Sequence, residues 1–267
     1  MSIEFALLGE IISLSQDPTN TPLDDFANKV ATSPQLAAEV VRVSNSALYG
    51  MEGRINRLER AVLILGMRTV AEIASSTLVA SRMRAMSIGA LGGDALWMHS
   101  LEIGVCSQFI ARCLVPSVES EAYLAGLLHD LGMLEMYEAH GKPYSEAVAR
   151  CQREQTPLIG LEAEAFEQTH GRRLLARAGD WHFPELLTQA IGYHDAPQEA
   201  PEASRSLATV VRAAHIVVAE PSKGWSDMPP TPEDDQILGD LGLQPEDVVD
   251  IRALMQERMK EVVSVLR

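Results

Sequence analysis

Two ionisable residues in succession, His129 and Asp130, close a run of small and apolar residues that includes Ala122, Leu124, Ala125, Leu127 and Leu128. An apolar helix seldom ends in two such groups without partners, because burying them unpaired costs several kcal/mol or more. Any fold of this chain therefore has to bring partners to that point. A divalent metal is one such partner, since imidazole nitrogen and carboxylate oxygen can share one ion.

The rest of the chain reads almost entirely as helix, with no series of alternating strands and hairpin turns. Thr21-Pro22-Leu23-Asp24 offers an N-cap, a proline at the first helical position and an acid in the first turn, opening a helix to about Ala31. Ser33-Pro34 repeats the signal, with Leu36, Val40 and Val43 at helical spacing to about Asn45. Further helices are predicted over 57–65, stopped by Gly66, and over 69–86, 95–113, 120–129, 144–155, 161–178, 184–194 and 204–218. A last one opens at Pro245 and places Ile251, Leu254, Met255, Met259 and Val262 on one apolar face. Ser87 to Asp94, with Gly89, Gly92 and Gly93, is the clearest internal joint, and four prolines make 221–232 a loop. These elements predict an all-α protein. A multi-helix bundle over 94–220 carries an N-terminal helical half, 1–88, packed on it, and a C-terminal helical extension over 233–267 packs on that module.

Composition narrows the function classes. The 267 residues are 46% hydrophobic, enough for one large domain or two closely joined halves. Net charge is −15, without the basic stripe that a phosphate-backbone binder carries. The nearest basic groups, Arg82/Arg84 and Arg172/Arg173/Arg177, are short and isolated, so direct nucleic-acid binding is not expected. The N-terminus lacks the basic-then-apolar pattern of a signal peptide, and no apolar run approaches the ~20 residues that span a bilayer. Cys106, Cys113 and Cys151 are odd in number and lack CxxC spacing, which fits small buried side chains in a reducing compartment. A cytoplasmic protein without membrane contact is expected.

Seven histidines are present, and His99, His129, His170, His194 and His215 fall on successive predicted helices. If those helices bundle, the imidazoles can converge on one interior point, as metal sites between facing helices do. Such a site would hold one divalent ion, Fe, Mn or similar, with Asp130 placed to orient a water or bridge to a second ion. Taken singly, each histidine reads more simply as a satisfied core or surface residue.

The segments around these residues resemble a known family. Ser33-Pro34-Gln35-Leu36, with Val41-Arg42-Val43-Ser44-Asn45-Ser46-Ala47-Leu48-Tyr49-Gly50, resembles the N-terminal signature of HDOD domains, a branch of the HD metal-dependent phosphohydrolase superfamily. Ile55 to Gly66, Leu96 to Ser100 and Ala125 to Gly132 are similar to later elements, and the resemblance spans about residues 4–220. Physically, Asn45 and Ser46 can bond back to the backbone and stop a helix, and Gly50 can take the left-handed conformation beyond it. The resemblance implies an early ligand at His99, the pair at His129 and Asp130, and a late ligand at His215, where hydrolases have Asp. It implies further ligands at His170 and His194, similar to those of the HD-GYP branch, which cleaves cyclic di-GMP. It also implies losses. The phosphate-holding Lys of that branch is Met133 here, its His-His pair is Tyr193-His194, and Asp195-Ala196-Pro197 follows without a Gly-Tyr-Pro element.

On this basis the chain is expected to be a bacterial signal-transduction regulator without robust catalysis. It would act as a stand-alone adaptor whose groove between the halves takes a signalling protein or a nucleotide second messenger. The alternative is a metal-dependent phosphohydrolase acting on a nucleotide or cyclic dinucleotide, with Asp130 catalytic. A purely structural interaction protein is a third reading. Two other patterns carry less. Glu167-x-x-His170 resembles half of a carboxylate-bridged di-iron site but has no second copy, and Trp181-His182-Phe183-Pro184 reads as a packed corner.

Overall fold

The computed structural model describes residues 2–50, 53–89, 91–219, 231 and 233–266. Among the described residues the protein is all-α apart from a two-stranded antiparallel sheet pairing Ser87–Ile88 with Leu91–Gly92, which occupies the glycine-rich joint. The proline-rich loop expected over 221–232 lies, except for Thr231, outside the described residues.

The described residues divide into two compact units. The first comprises Met1–Ser81, Ala178–Pro184 and Glu257–Arg267. It holds α1 (Ser2–Gln16), α2 (Leu23–Ala31), α3 (Pro34–Ser44) and most of α4 (Leu58–Arg84). Sequence reading missed α1, whose Phe5, Leu8, Ile11 and Ile12 nonetheless repeat at helical spacing and are fully buried. Thr21 does not cap α2. Pro22 takes that position, and the Thr21 hydroxyl donates to Leu14 O instead. Ser33 caps α3 as its sequence predicts, accepting from Leu36 N.

Asn45 terminates α3. Its Nδ2 donates to Val41 O at 2.9 Å and also to Ile55 O, while its Oδ1 accepts from Ile55 N at 2.9 Å. One amide thus ties the helix end to a segment ten residues on. Gly50 follows in the left-handed region at φ 63°. The Trp181 corner is packed as expected, with its ring 5.0 Å from Phe5.

Among the described residues, α4 is the one helix with the length and apolar content to cross a membrane. It is broken at Gly66 (φ 83°), which separates the two helices that the sequence predicts. Its Ala61, Val62, Val70, Ala71, Ile73 and Ala74 lie in a protein core with Phe26, Val40 and Val265.

The second unit comprises Arg82–Arg177 and Glu185–Gln256. Its centre is formed by α5 (Gly93–Leu114), α6 (Glu119–Leu128), α11 (Glu185–Gly192) and α12 (Glu202–Val218), each packed on the other members of the group or on α12 and α6. Close approach of α5 and α6 requires glycine at 126, where a Cβ would sit 2.6 Å from Ile103 O. Around this centre run α7 (Leu131–His140), α8 (Lys142–Glu154), α9 (Leu158–Phe166), most of α10 (His170–Trp181), α13 (Asp234–Asp240) and the first half of α14 (Pro245–Leu266), the remaining residues of α10 and α14 belonging to the first unit.

Three expectations need correction here. Residues 131–140 form a helix that sequence reading left out, starting one residue after the His-Asp pair. The single helix predicted over 161–178 is two helices, because Glu167 takes a left-handed conformation (φ 54°) between them. Glu167 and His170 therefore do not share a helix face, and the di-iron pattern fails. Finally, Cys106 and Cys151 are buried but Cys113 is exposed, because α5 leaves the core after Ala111.

Candidate metal centre

Five helices of the second unit, α5, α6, α10, α11 and α12, bring side chains to a common interior point. His99 comes from the first third of α5, His129 and Asp130 from the end of α6, and His170 from the first position of α10. His194 and Asp195 follow the end of α11, and His215 lies in the last turn of α12. All five sequence-predicted histidines and Asp130 are thus brought together. Ring centroids lie 5.2 Å apart for His99 and His129, 4.5 Å for His129 and His215, 5.0 Å for His129 and His194, and 5.2 Å for His170 and His194.

Local folding explains how adjacent His and Asp residues can both face inward. The last carbonyls of a helix have no intrahelical donor. His129 Nδ1 lies 2.6 Å from Gly126 O, and His194 Nδ1 lies 2.6 Å from Ile191 O. A carbonyl only accepts, so Nδ1 carries the proton in both rings and Nε2 is left as the ligating nitrogen. The chain then leaves the helical path, and the next residue, Asp130 or Asp195, turns into the same space. The two sites are built alike.

His170 is oriented differently. Glu162 Oε2 accepts from both His170 N and His170 Nδ1, each at 2.9 Å, and Tyr144 Oη donates to Glu162 Oε1 at 2.6 Å. This carboxylate–imidazole pair again sets Nε2 toward the interior, as a second layer of ligand support does in metal sites. Gly132 is needed beside it, since a Cβ there would lie 2.0 Å from His170 O.

The inward atoms are close enough to share an ion. Asp130 Oδ2 is 3.2 Å from His129 Nε2 and 3.7 Å from His99 Nε2, and Asp130 Oδ1 is 3.6 Å from His170 Nε2. Asp195 lies 3.4 Å from His170 Nε2 and 3.3 Å from His194 Nε2. Ligands each about 2.1 Å from one ion stand roughly 3–4 Å apart. Three overlapping groups keep their donor atoms within 4.8 Å of one another: His99, His129 and His215; His129, Asp130 and His194; and His170, His194 and Asp195. The donor set fits a divalent transition metal. Neither Asp130 oxygen makes a well-formed hydrogen bond, although the side chain is wholly buried.

Electrostatics agree with that fit. Burial pushes His99 and His194 down to about 4 and His215 well below its ordinary value, so these rings are neutral near pH 7, the form in which imidazole can bind a metal. Burial also opposes charge on His170, but Glu162, Asp195 and Asp130 outweigh it and raise that imidazole well above the usual range. Burial raises Asp130, yet His129, His99 and His170 outweigh it and hold the carboxyl below the usual range.

Sequence reasoning missed Asp195 and Glu162. For Asp195 the signal was present, because His194-Asp195 repeats the His-Asp dipeptide at another apolar helix end. Glu162 carried no such signal, as it lies on α9 and reaches His170 across the unpredicted break at Glu167.

The HDOD domain model matches residues 6–197 of this chain. The chain belongs to the HDOD family. An uncharacterized protein of Treponema pallidum (strain Nichols) is 22% identical over 197 residues, which is 73% of this chain and 38% of that protein. The HDOD chain thus spans well under half the length of this relative. Among solved structures, a provisionally named signal transduction protein of Marinobacter aquaeolei VT8 superposes with a TM-score of 0.77 at 22% identity, covering 97% of this chain and 58% of that one. A provisionally named phosphohydrolase of Shewanella amazonensis SB2B gives a TM-score of 0.73 at 19% identity, covering 97% and 91%. These likenesses establish the HDOD fold. Within it, Met133 is fully buried and His215 is 3% exposed.

Proposed function

We propose that this HDOD protein is a signal-transduction regulator whose second unit is organised by a buried divalent metal, Fe, Mn or similar. It works by binding a signalling protein or a nucleotide second messenger rather than by turnover. The metal would be held by ligands drawn from His99, His129, Asp130, His170, His194, Asp195 and His215, which form three overlapping triads. One observation carries the reading. The candidate ligands are assembled and almost sealed: His129, Asp130, His170 and His194 are 0% exposed, His215 3%, His99 7% and the Asp195 side chain 11%. A bound divalent metal supplies Lewis acidity and lowers the pKa of its water. Here the ligands shut substrate away from that chemistry, and the phosphate-holding cation is replaced by Met133.

A second reading, a metal-dependent phosphohydrolase acting on a nucleotide or cyclic dinucleotide, is favoured by Asp195. Its side chain is 11% exposed, and it completes a ligand group with His170 and His194. One experiment separates the readings. The purified protein is reconstituted with Mn or Fe, its metal content is measured, and turnover of bis(4-nitrophenyl) phosphate and a cyclic dinucleotide is assayed. Stoichiometric metal, lost in His129→Ala, with no turnover supports the regulator. Turnover abolished by Asp130→Asn replaces it with the hydrolase, and failure to take up metal sinks both.

A further inference from the structure

Among the described residues, the exposed large apolar side chains are Leu63 (72%), Ile64 (37%), Leu114 (40%), Val249 (61%) and Leu254 (49%). Four of these five fall on two short helix faces, and the charges around the two faces are opposite.

The first face lies on α4. Arg57, Arg60, Leu63 and Ile64 follow one another at helical spacing, all exposed, with exposed Arg54 before them and Arg68 beyond the Gly66 break. Glu59 is the carboxylate within the segment, and Arg68 makes only a 3.9 Å contact with Glu72. In a chain with 22 basic and 37 acidic residues, four arginines around two bare aliphatic side chains run against the composition. The sequence shows no basic stripe because these arginines are spaced singly.

The second face lies on α14. Glu246, Val249, Asp250, Ala253 and Leu254 recur at intervals of three and four residues and are all exposed, with Asp247 alongside. The basic residue of this stretch, Arg252, is turned away and donates to Val217 O at 2.8 Å. This face therefore shows aliphatic side chains bordered by carboxylates, the complement of the first.

We propose that a second copy of this chain is the occupant of both faces, and that the protein self-associates head to tail, the Leu63–Ile64 face of one copy against the Val249–Leu254 face of the next. The contact is heterologous, because two different patches of the same chain meet. Burying four aliphatic side chains supplies the attraction, and the facing arginines and carboxylates set partner and register. Two patches of this size make a small interface, so association is weak and falls as salt screens the charges. The inference does not depend on the metal centre, from which all these residues are absent.

Sedimentation velocity of the full chain, from low micromolar to several hundred micromolar and at low and high salt, tests it. The wild-type sedimentation coefficient rises with concentration at low salt and much less at high salt. Leu63→Asp spoils only the basic face and Leu254→Lys only the acidic face. Both are surface changes, and circular dichroism checks that each variant is folded. Each variant alone self-associates at least about tenfold more weakly, as like charge or a bare charge enters an apolar contact. An equimolar mixture of the two regains a 1:1 complex and goes no further, because only one intact pair of faces remains. A wild-type chain that stays monomeric at low salt overturns the proposal, as does a mixture that fails to pair while wild type associates. Capture of a monomeric wild-type chain on phosphatidylglycerol vesicles, lost in Arg57→Glu/Arg60→Glu, would assign the basic face to an anionic lipid surface and also overturn it.

Discussion

Glu162 sits outside the candidate ligand set, yet it fixes where His170 points. Its carboxylate holds His170 by both backbone N and ring Nδ1, and Tyr144 holds the carboxylate in turn. Glu162→Gln should lower metal affinity by about 10–100-fold with helix content unchanged, measured by competition with a chromophoric chelator. Unchanged affinity would reduce Glu162 to packing. Gly132→Ala acts on the same ligand from the other side. A Cβ 2.0 Å from His170 O forces the start of α10 away, so bound metal should be lost along with stability. In the first unit, Asn45 clamps both backbone groups of Ile55. Asn45→Ala leaves those groups unpaired and should cost about 1–3 kcal/mol in urea unfolding. The Asn45–Gly50 segment was legible as a helix stop from its residues alone. What it is tied to was not, because the partner is ten residues away and outside any local rule.

At the level of elements, two helix ends do the same work. Both α6 and α11 finish in a histidine that donates to the carbonyl three residues back and is followed by an aspartate facing inward. The first was read from sequence because a long apolar run precedes it. The second was not, since α11 is shorter and its Asp opens an irregular loop. The position of α12, which carries His215, depends on two arginines. Arg252 of α14 donates to Val217 O and Ala219 O at the end of that helix, and Arg212 of α12 pairs with Asp234 of α13 in a buried contact. Arg212→Ala removes the cation from the buried Asp234 carboxylate, which still accepts from Thr231 N and Oγ1, and should cost about 3–5 kcal/mol, while Arg212→Met with Asp234→Asn, which keeps an acceptor for Thr231, should recover much of the loss. Urea midpoints of the two variants check this, and equal losses would deny the pairing its role.

For the whole molecule, the buried imidazoles impose a pH dependence on the metal-free protein. His99 and His194 titrate at about 4 in the fold against an ordinary 6.5. Between those values the unfolded chain binds protons that the folded chain refuses, so stability is full above about 6.5 and falls as pH drops toward 4. His215 has the same sign. His170 has the opposite sign. Its stabilisation is present below 6.5 and is lost as pH rises through its raised value. Thermal melts of chelator-treated protein should therefore show stability declining on the acid side from pH 6.5, and a flat acid limb would contradict the burial of His99 and His194. A metal bound at His170 must displace that proton, so affinity should rise with pH.

The sequence by itself determined that the chain is helical, where most helices start, and that an apolar helix ends in a His-Asp pair needing partners. These follow from capping residues and a 3.6-residue period, which act over one or two turns. Only the tertiary structure decided which side chains meet. That Asp195 joins His170 and His194, that Glu162 reaches His170, and that Glu167 breaks one predicted helix into two depend on how α5, α6, α9, α10, α11 and α12 cross. Helical period fixes the face a residue lies on, but packing between helices distant in sequence fixes what that face finds.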